Sequence, residues 1–126
     1  MYCSKLSIIS LPKCEEIGIG TFEDCVSLAK VYCYWNNNLI LSSTAFQNCF
    51  KLLSLYLVGS NIATLSNINV FQMTPISNYT TETGGVYGSI FVPASLYDSY
   101  KISTNWVTYS SRFASLTDAQ VSQIKT

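Results

Sequence analysis

The sequence predicts an α/β fold built as a solenoid. Short parallel strands stack by repetition, the repeats hold little helix, and a helical segment caps the C-terminal end. Three observations carry this expectation. First, the motif Cys-x-x-Leu-x-x-apolar recurs at nearly even spacing, as Cys3, Leu6, Ile9, as Cys25, Leu28, Val31, and as Cys49, Leu52, Leu55. Second, each copy continues two positions on with Leu11, Cys33 or Leu57, the period-two alternation of a strand with one buried face. Third, a second set of positions keeps step with the first. Phe22 and Phe46 each stand three places before their cysteine, and Ile17 and Leu41 are offset by the same interval as Cys25 and Cys49.

The repeat length falls within the roughly 20–29 residues of leucine-rich repeats. Parallel strands from successive copies should lie about 4.8 Å apart, so the cysteines and leucines form columns in the core. Cysteine suits such a column because it is small and tolerates full burial. The segment carrying Phe22 or Phe46 returns the chain along the outer side, its ring filling the space between strand and return arm. Positions 1–76 are read as three to four repeats and 77–126 as a capping segment of the same single domain.

The later elements follow in order. After Leu57 the pattern frays: Ile62, Leu65, Ile68 and Val70 are apolar but poorly phased. Phe71 follows Phe46 at nearly the interval that separates Phe46 from Phe22, which fits a degenerate fourth repeat with Thr74 in the cysteine position. The polar, glycine-containing stretch from Ser77 to Gly88 reads as a loop. Ser89-Ile90-Phe91-Val92-Pro93 reads as a strand stopped by proline. Ala94 to Lys101 suits a helix with Leu96, Tyr97 and Tyr100 on one side, and Trp106, Tyr109 and Phe113 continue at helical spacing. Thr117 and Gln120 fit a capping box opening a short helix with Val121 and Ile124 inward. A stack of repeats needs such a terminal module, because its last repeat otherwise exposes an apolar face.

Composition narrows the function. Hydrophobic residues make up 48% and charged residues 11% of the 126 residues, against roughly 25% charged in ordinary domains. So little charge suggests surface that is normally covered. A formal net charge of zero gives no electrostatic footprint for nucleic acid or anionic membrane. No apolar stretch approaches the roughly 20 residues that span a bilayer. The five cysteines form an odd set without a Cys-x-x-Cys pair, so they are expected as buried thiols rather than a disulfide framework or a zinc site. The chain has no histidine, which removes the common general base and the triads built on it. Glu15, Glu16, Glu23 and Asp24 fall on predicted turns and return arms, where solvated charge is the simplest reading. No phosphate loop or nucleophile elbow is present. The expectation is therefore a non-enzyme without metal or cofactor.

The phrases Leu11-Pro12, Ile17-Gly18, Thr21-Phe22-Glu23-Asp24-Cys25-Val26-Ser27-Leu28 and Ala45-Phe46-Gln47-Asn48-Cys49-Phe50-Lys51-Leu52 resemble the BspA-like leucine-rich repeats of bacterial proteins. The likeness covers about positions 1–58. It departs at Cys14, where that family has an apolar residue such as Val, and at the second strand, which lacks its following proline and runs on through Trp35-Asn36-Asn37-Asn38. The segment from Phe91 to Trp106 looks like a terminal module found after such repeats. The resemblance implies an extracellular or cell-surface protein in adhesion to host protein, other cells or glycans.

The expected function is a non-catalytic binding module that recognises a protein or glycan partner with the concave face of the repeat stack. The alternative is a structural spacer or assembly element of a larger surface protein. The strand residues expected to alternate outward are Ser10, Lys30, Tyr32, Tyr34, Ser54 and Tyr56, with Trp35 close behind, and the candidate surface is Lys30, Tyr32, Tyr34, Trp35, Ser54 and Tyr56. Tyr32 and Tyr56 share a repeat column and should be neighbours, and tyrosine and tryptophan are frequent interface anchors. Neither nucleic acid nor membrane insertion is expected. The motif is entered at its middle at Cys3, so the chain reads as the tail of a longer protein, with an uncapped first repeat prone to self-association.

Overall fold

A computed structural model describes residues 5–125. The chain is mixed α/β, with parallel strands in two sheets and few helices. The elements in order are β1 (Ile8–Pro12), β2 (Glu16–Ile17), β3 (Lys30–Tyr34), β4 (Ile40–Leu41), β5 (Ser54–Val58), β6 (Thr64–Leu65), β7 (Ser89–Pro93), α1 (Tyr97–Ile102), β8 (Phe113–Leu116) and α2 (Asp118–Lys125). One sheet has the order β1-β3-β5-β7-β8 and the other β2-β4-β6, so consecutive long strands alternate with short strands of the second sheet.

The register follows the columns in the sequence. Ile9, Val31, Leu55, Ile90 and Phe113 pair across the larger sheet, as do Leu11, Cys33 and Leu57. Val31, Cys33, Leu55, Leu57 and Ile90 are fully buried. Ile17, Leu41 and Leu65 pair across the smaller sheet. Leu65 therefore lies as far beyond Leu41 as Leu41 lies beyond Ile17, in phase with both, although its surroundings read as frayed in the sequence.

The turns carrying Phe22, Phe46 and Phe71 are also bonded to one another. Phe22 N–H donates to Ala45 C=O at 2.8 Å and Asp24 N–H to Gln47 C=O at 2.9 Å; Phe46 and Asn48 repeat the pattern onto Val70 and Gln72, both at 3.0 Å. Asp24, Asn48 and Met73 each stand just before the cysteine-column residue with φ of 64°, 65° and 61°. Asp and Asn visit this left-handed region more easily than other non-glycine residues. Asn48 Nδ2 adds a bond to Asp24 Oδ1 at 2.7 Å. Inside this turn Phe22, Phe46 and Phe71 stack, with centroids 5.5 and 5.9 Å apart and planes within 12° and 7°.

Thr74 takes the cysteine position after Phe71. It is buried, and its hydroxyl donates to Phe71 C=O at 2.7 Å, which satisfies the polar group that cysteine would not carry. Of the cysteines, Cys25, Cys33 and Cys49 are buried, whereas Cys14 is only half-buried. Cys3 lies outside the described residues, so the ladder is seen from its second rung.

The strand after Phe71 is delayed. Ser89 pairs with Ser54, whereas Ser54 itself pairs with the much nearer Lys30. The extra chain is the polar loop through positions 77–88, which contains a single 3₁₀ turn at Thr81–Thr83. Its ends are drawn together where Gly88 N–H donates to Pro75 C=O at 2.8 Å. Any side chain at Gly88 would bring a Cβ to 2.8 Å from Leu52 O, so the close approach requires glycine. Arg112 clips the same base, its Nε donating to Ile76 O at 2.9 Å and its Nη2 to Ser77 O at 2.8 Å.

The C-terminal part corrects two helical expectations. Ala94–Leu96 is a 3₁₀ turn and the α-helix begins only at Tyr97. Trp106 and Tyr109 lie on a 3₁₀ stretch, Trp106–Arg112, but Phe113 does not continue it: Phe113 opens β8 and pairs with Ile90. Pairing beside the otherwise open edge of β7 outweighs the helical spacing of these aromatics. Tyr100, Trp106 and Phe113 still form one cluster, with centroids 5.4 to 5.9 Å apart.

Side chains of this cluster bond the outer edge of β6. Tyr100 Oη accepts from Ala63 N–H at 2.9 Å and Trp106 Nε1 donates to Ala63 C=O at 2.7 Å. Asn105 Nδ2 donates to Leu65 C=O at 2.6 Å, and Tyr109 Oη donates to Ile68 C=O. The groups of Ala63 and Leu65 lie on the side of β6 that faces no other strand, and leaving them unpaired under cover would cost about 1–3 kcal/mol each.

Candidate binding face

Ser10, Tyr32, Tyr56, Phe91 and Ala114 form one cross-strand row in the larger sheet, pointing away from the core. Its three central rings are stacked. The Tyr32 and Tyr56 centroids are 4.5 Å apart with planes within 18°, and Tyr56 and Phe91 are 4.5 Å apart within 13°. The strand spacing of about 4.8 Å dictates this, because rings on directly paired residues fit that gap only when parallel. The ring planes therefore stand upright on the sheet. Tyr56 has both faces covered, and the row offers outward its ring edges and the two tyrosine hydroxyls.

The helix α2 forms the opposite wall. It packs against β3 and β5, with Val121 and Ile124 half-buried and no residue fully buried. Its start is fixed by a reciprocal cap: Thr117 N–H donates to Gln120 Oε1 at 2.8 Å and Gln120 N–H to Thr117 Oγ1 at 3.2 Å. Lys125 reaches over the Tyr34 ring with its Nζ 5.7 Å from the centroid. Between helix and sheet lies an open hollow of about 710 Å³, floored by β1, β3, β5 and β7 and walled by β8 and α2.

Of the six residues that the sequence nominated, Tyr32, Tyr34 and Tyr56 line this hollow. Lys30 and Ser54 are paired neighbours at the far end of their strands, half-buried and away from it. Trp35 does not belong to the surface: it is 1% exposed and joins the core. The strand alternation ends at Tyr34, and the indole turns inward over Gly59, where a Cβ would lie 2.1 Å from Trp35 Cε2. Its Nε1 donates to Asn61 Oδ1 at 2.7 Å.

Sequence reasoning missed Phe91 and the α2 residues. Phe91 was legible in principle, since Ile90 and Val92 alternate around it as inward positions. The residues of α2 carry no comparable signal, because their place depends on where β8 ends.

The chemistry of the hollow is mostly neutral. Among its described lining residues Lys125 is the one charged side chain, beside hydroxyls of Ser10, Tyr32, Tyr34, Tyr56 and Ser115 and amides of Gln120 and Gln123. Among the described residues no group of three or more His, Cys, Asp or Glu could hold a metal ion, and no helix is long and apolar enough to cross a membrane. The Cys33 and Cys49 thiols are poor nucleophiles. Burial pushes Cys33 far above its ordinary value and Cys49 up to about 12, and a thiol rather than a thiolate reacts slowly.

No protein-family model, curated protein or solved structure matches the chain.

Proposed function

We propose that the chain is a non-catalytic binding module of the leucine-rich-repeat type, a short solenoid closed at its C-terminal end. On this reading the face carrying the tyrosine row takes a protein or glycan partner. The single observation that carries it is the hollow over stacked Tyr32, Tyr56 and Phe91, open to solvent and lined by neutral hydrogen-bonding groups. Aromatic rings with polar tips, held rigid by stacking, lose little conformational freedom on binding, which is why they serve as anchors. The regular offsets kept on three sides of the chain support the repeat reading, and the bonds from Tyr100, Trp106 and Asn105 to the β6 edge support the closure. The resemblance to BspA-like repeats supports a place at the bacterial surface.

The test is a screen of the chain, and of the variant carrying Tyr32→Ala and Tyr56→Ala, on glycan and host-protein arrays. The expected result is a partner held by the native chain and lost from the variant. The variant should remain folded, because both rings are half-buried on the surface of the sheet and not in the core. A partner retained by the folded variant would overturn this face as the binding surface. Absence of any partner would favour a spacer.

A further inference from the structure

The aromatic row is incomplete at one end. Its rungs follow the strands at 4.5 Å, and Tyr56 is sandwiched between Tyr32 and Phe91. The next rung belongs to β1, where the partner of Tyr32 is Ser10. Ser10 is exposed and too small to cover a ring, and among the described residues no aromatic ring stands over the outer face of Tyr32. Among the described residues a slot is thus left above Ser10 beside the outer face of Tyr32, open on its far side because β1 is the edge strand, and Ser10 and Tyr32 both line the hollow. The opposite end differs: Ala114, beyond Phe91, is half-buried and does not line the hollow.

We infer that this slot is a subsite for one pyranose ring of a neutral glycan, which stacks on the outer face of Tyr32 as the missing rung. The inference rests on the binding reading above and gives it a ligand class. A pyranose presents C–H groups on a face and hydroxyls around its rim. The slot presents the complement: one open ring face, with Ser10, Tyr34 and Gln120 in the same hollow as neutral hydrogen-bonding groups. An aromatic side chain of a peptide carries at most one polar group and would leave most of that polar surround unused, whereas a pyranose carries several hydroxyls around its rim. A stacked nucleobase would bring phosphates, for which Lys125 alone is too little positive charge. The scarcity of charge also removes acidic glycans as the best fit.

The probe is a set of soluble neutral hexasaccharides (cellohexaose, maltohexaose, mannohexaose) titrated against the whole chain by NMR. At least one should bind, shifting Ser10 and Tyr32 resonances. The decisive variant is Ser10→Tyr, which fills the slot with the chain's own ring. It should keep the fold, since position 10 is exposed, raise the melting temperature by lengthening the stack, and weaken the sugar tenfold or more. Tyr32→Ala removes the ring face on which the sugar stacks and should weaken it tenfold or more, with the fold kept because the ring is only half-buried. Should Ser10→Tyr perturb the fold, Ser10→Leu is the second obstruction, expected to weaken the sugar in the same way. A hexasaccharide that binds equally well to the obstructed variants overturns the slot. No hexasaccharide binding, with a protein partner captured on the array and lost with Tyr56, overturns the glycan assignment and leaves the binding face standing. No binding of either kind overturns both.

Discussion

The cysteines show how a single residue type can serve a column rather than a reaction. Cys25 and Cys49 occupy successive rungs inside the turn, and Cys49 Sγ donates to Phe22 C=O at 3.1 Å. Burial dominates the acidity of Cys49 and of Tyr109. It pushes Cys49 from an ordinary 9.0 up to about 12, and the Tyr109 hydroxyl from 10.0 up to about 12. The unfolded chain thus releases protons at a pH where the folded chain still holds them. Stability from these groups is fully present below about pH 9 and falls as pH rises through 9 to 12, with the sign set by the extra protons bound in the folded state. Denaturant titrations across about pH 7–11 should show a plateau followed by an alkaline decline. A midpoint that rises above pH 9 would contradict the burial of these groups. Residue identity was well read for this column, because a thiol in phase with leucine, phenylalanine and isoleucine leaves few other roles. Trp35 was misread for the opposite reason: its inward turn depends on the absence of a side chain at Gly59, just after the strand that pairs with its own.

At the scale of elements, legibility depended on periodicity. Strands β1, β3 and β5 and their register were visible as near-constant offsets between matching apolar positions, whereas β2 and β4 showed only as the matching offset of Ile17 and Leu41, with too few residues to read as strands. The capping box at Thr117 was visible as a local pattern. The strand β8 was not, because its existence rests on the free edge of β7 and not on its own sequence. The cluster after β7 bonds the side of β6 that no strand pairs with. Tyr100, Trp106 and Asn105 satisfy the β6 backbone with side-chain groups, a task that no repeat pattern encodes. Tyr100→Phe removes one acceptor and leaves the Ala63 N–H buried and unpaired. It should cost about 1–3 kcal/mol, read as a lowered denaturation midpoint with an unchanged slope. A change near zero would show that this edge does not need the tyrosine.

For the whole molecule, the two sheets and the phenylalanine turn hold the chain by repeated pairing, and function is read from the one face that the C-terminal helix borders without filling. The composition, poor in charge and free of histidine, pointed toward recognition before any geometry was known. The tyrosine row was foreseen from one shared column, but the hollow it floors was not, since α2 comes from the other end of the chain. The central claim is that this hollow is where a partner sits. Chemical-shift mapping with the ligand returned by the arrays or the sugar titrations tests it most directly. The expected outcome is a cluster of shifts at Ser10, Tyr32, Tyr34, Tyr56 and α2. Shifts confined to β2, β4 and β6, or to the turn carrying Phe22 and Phe46, would contradict it.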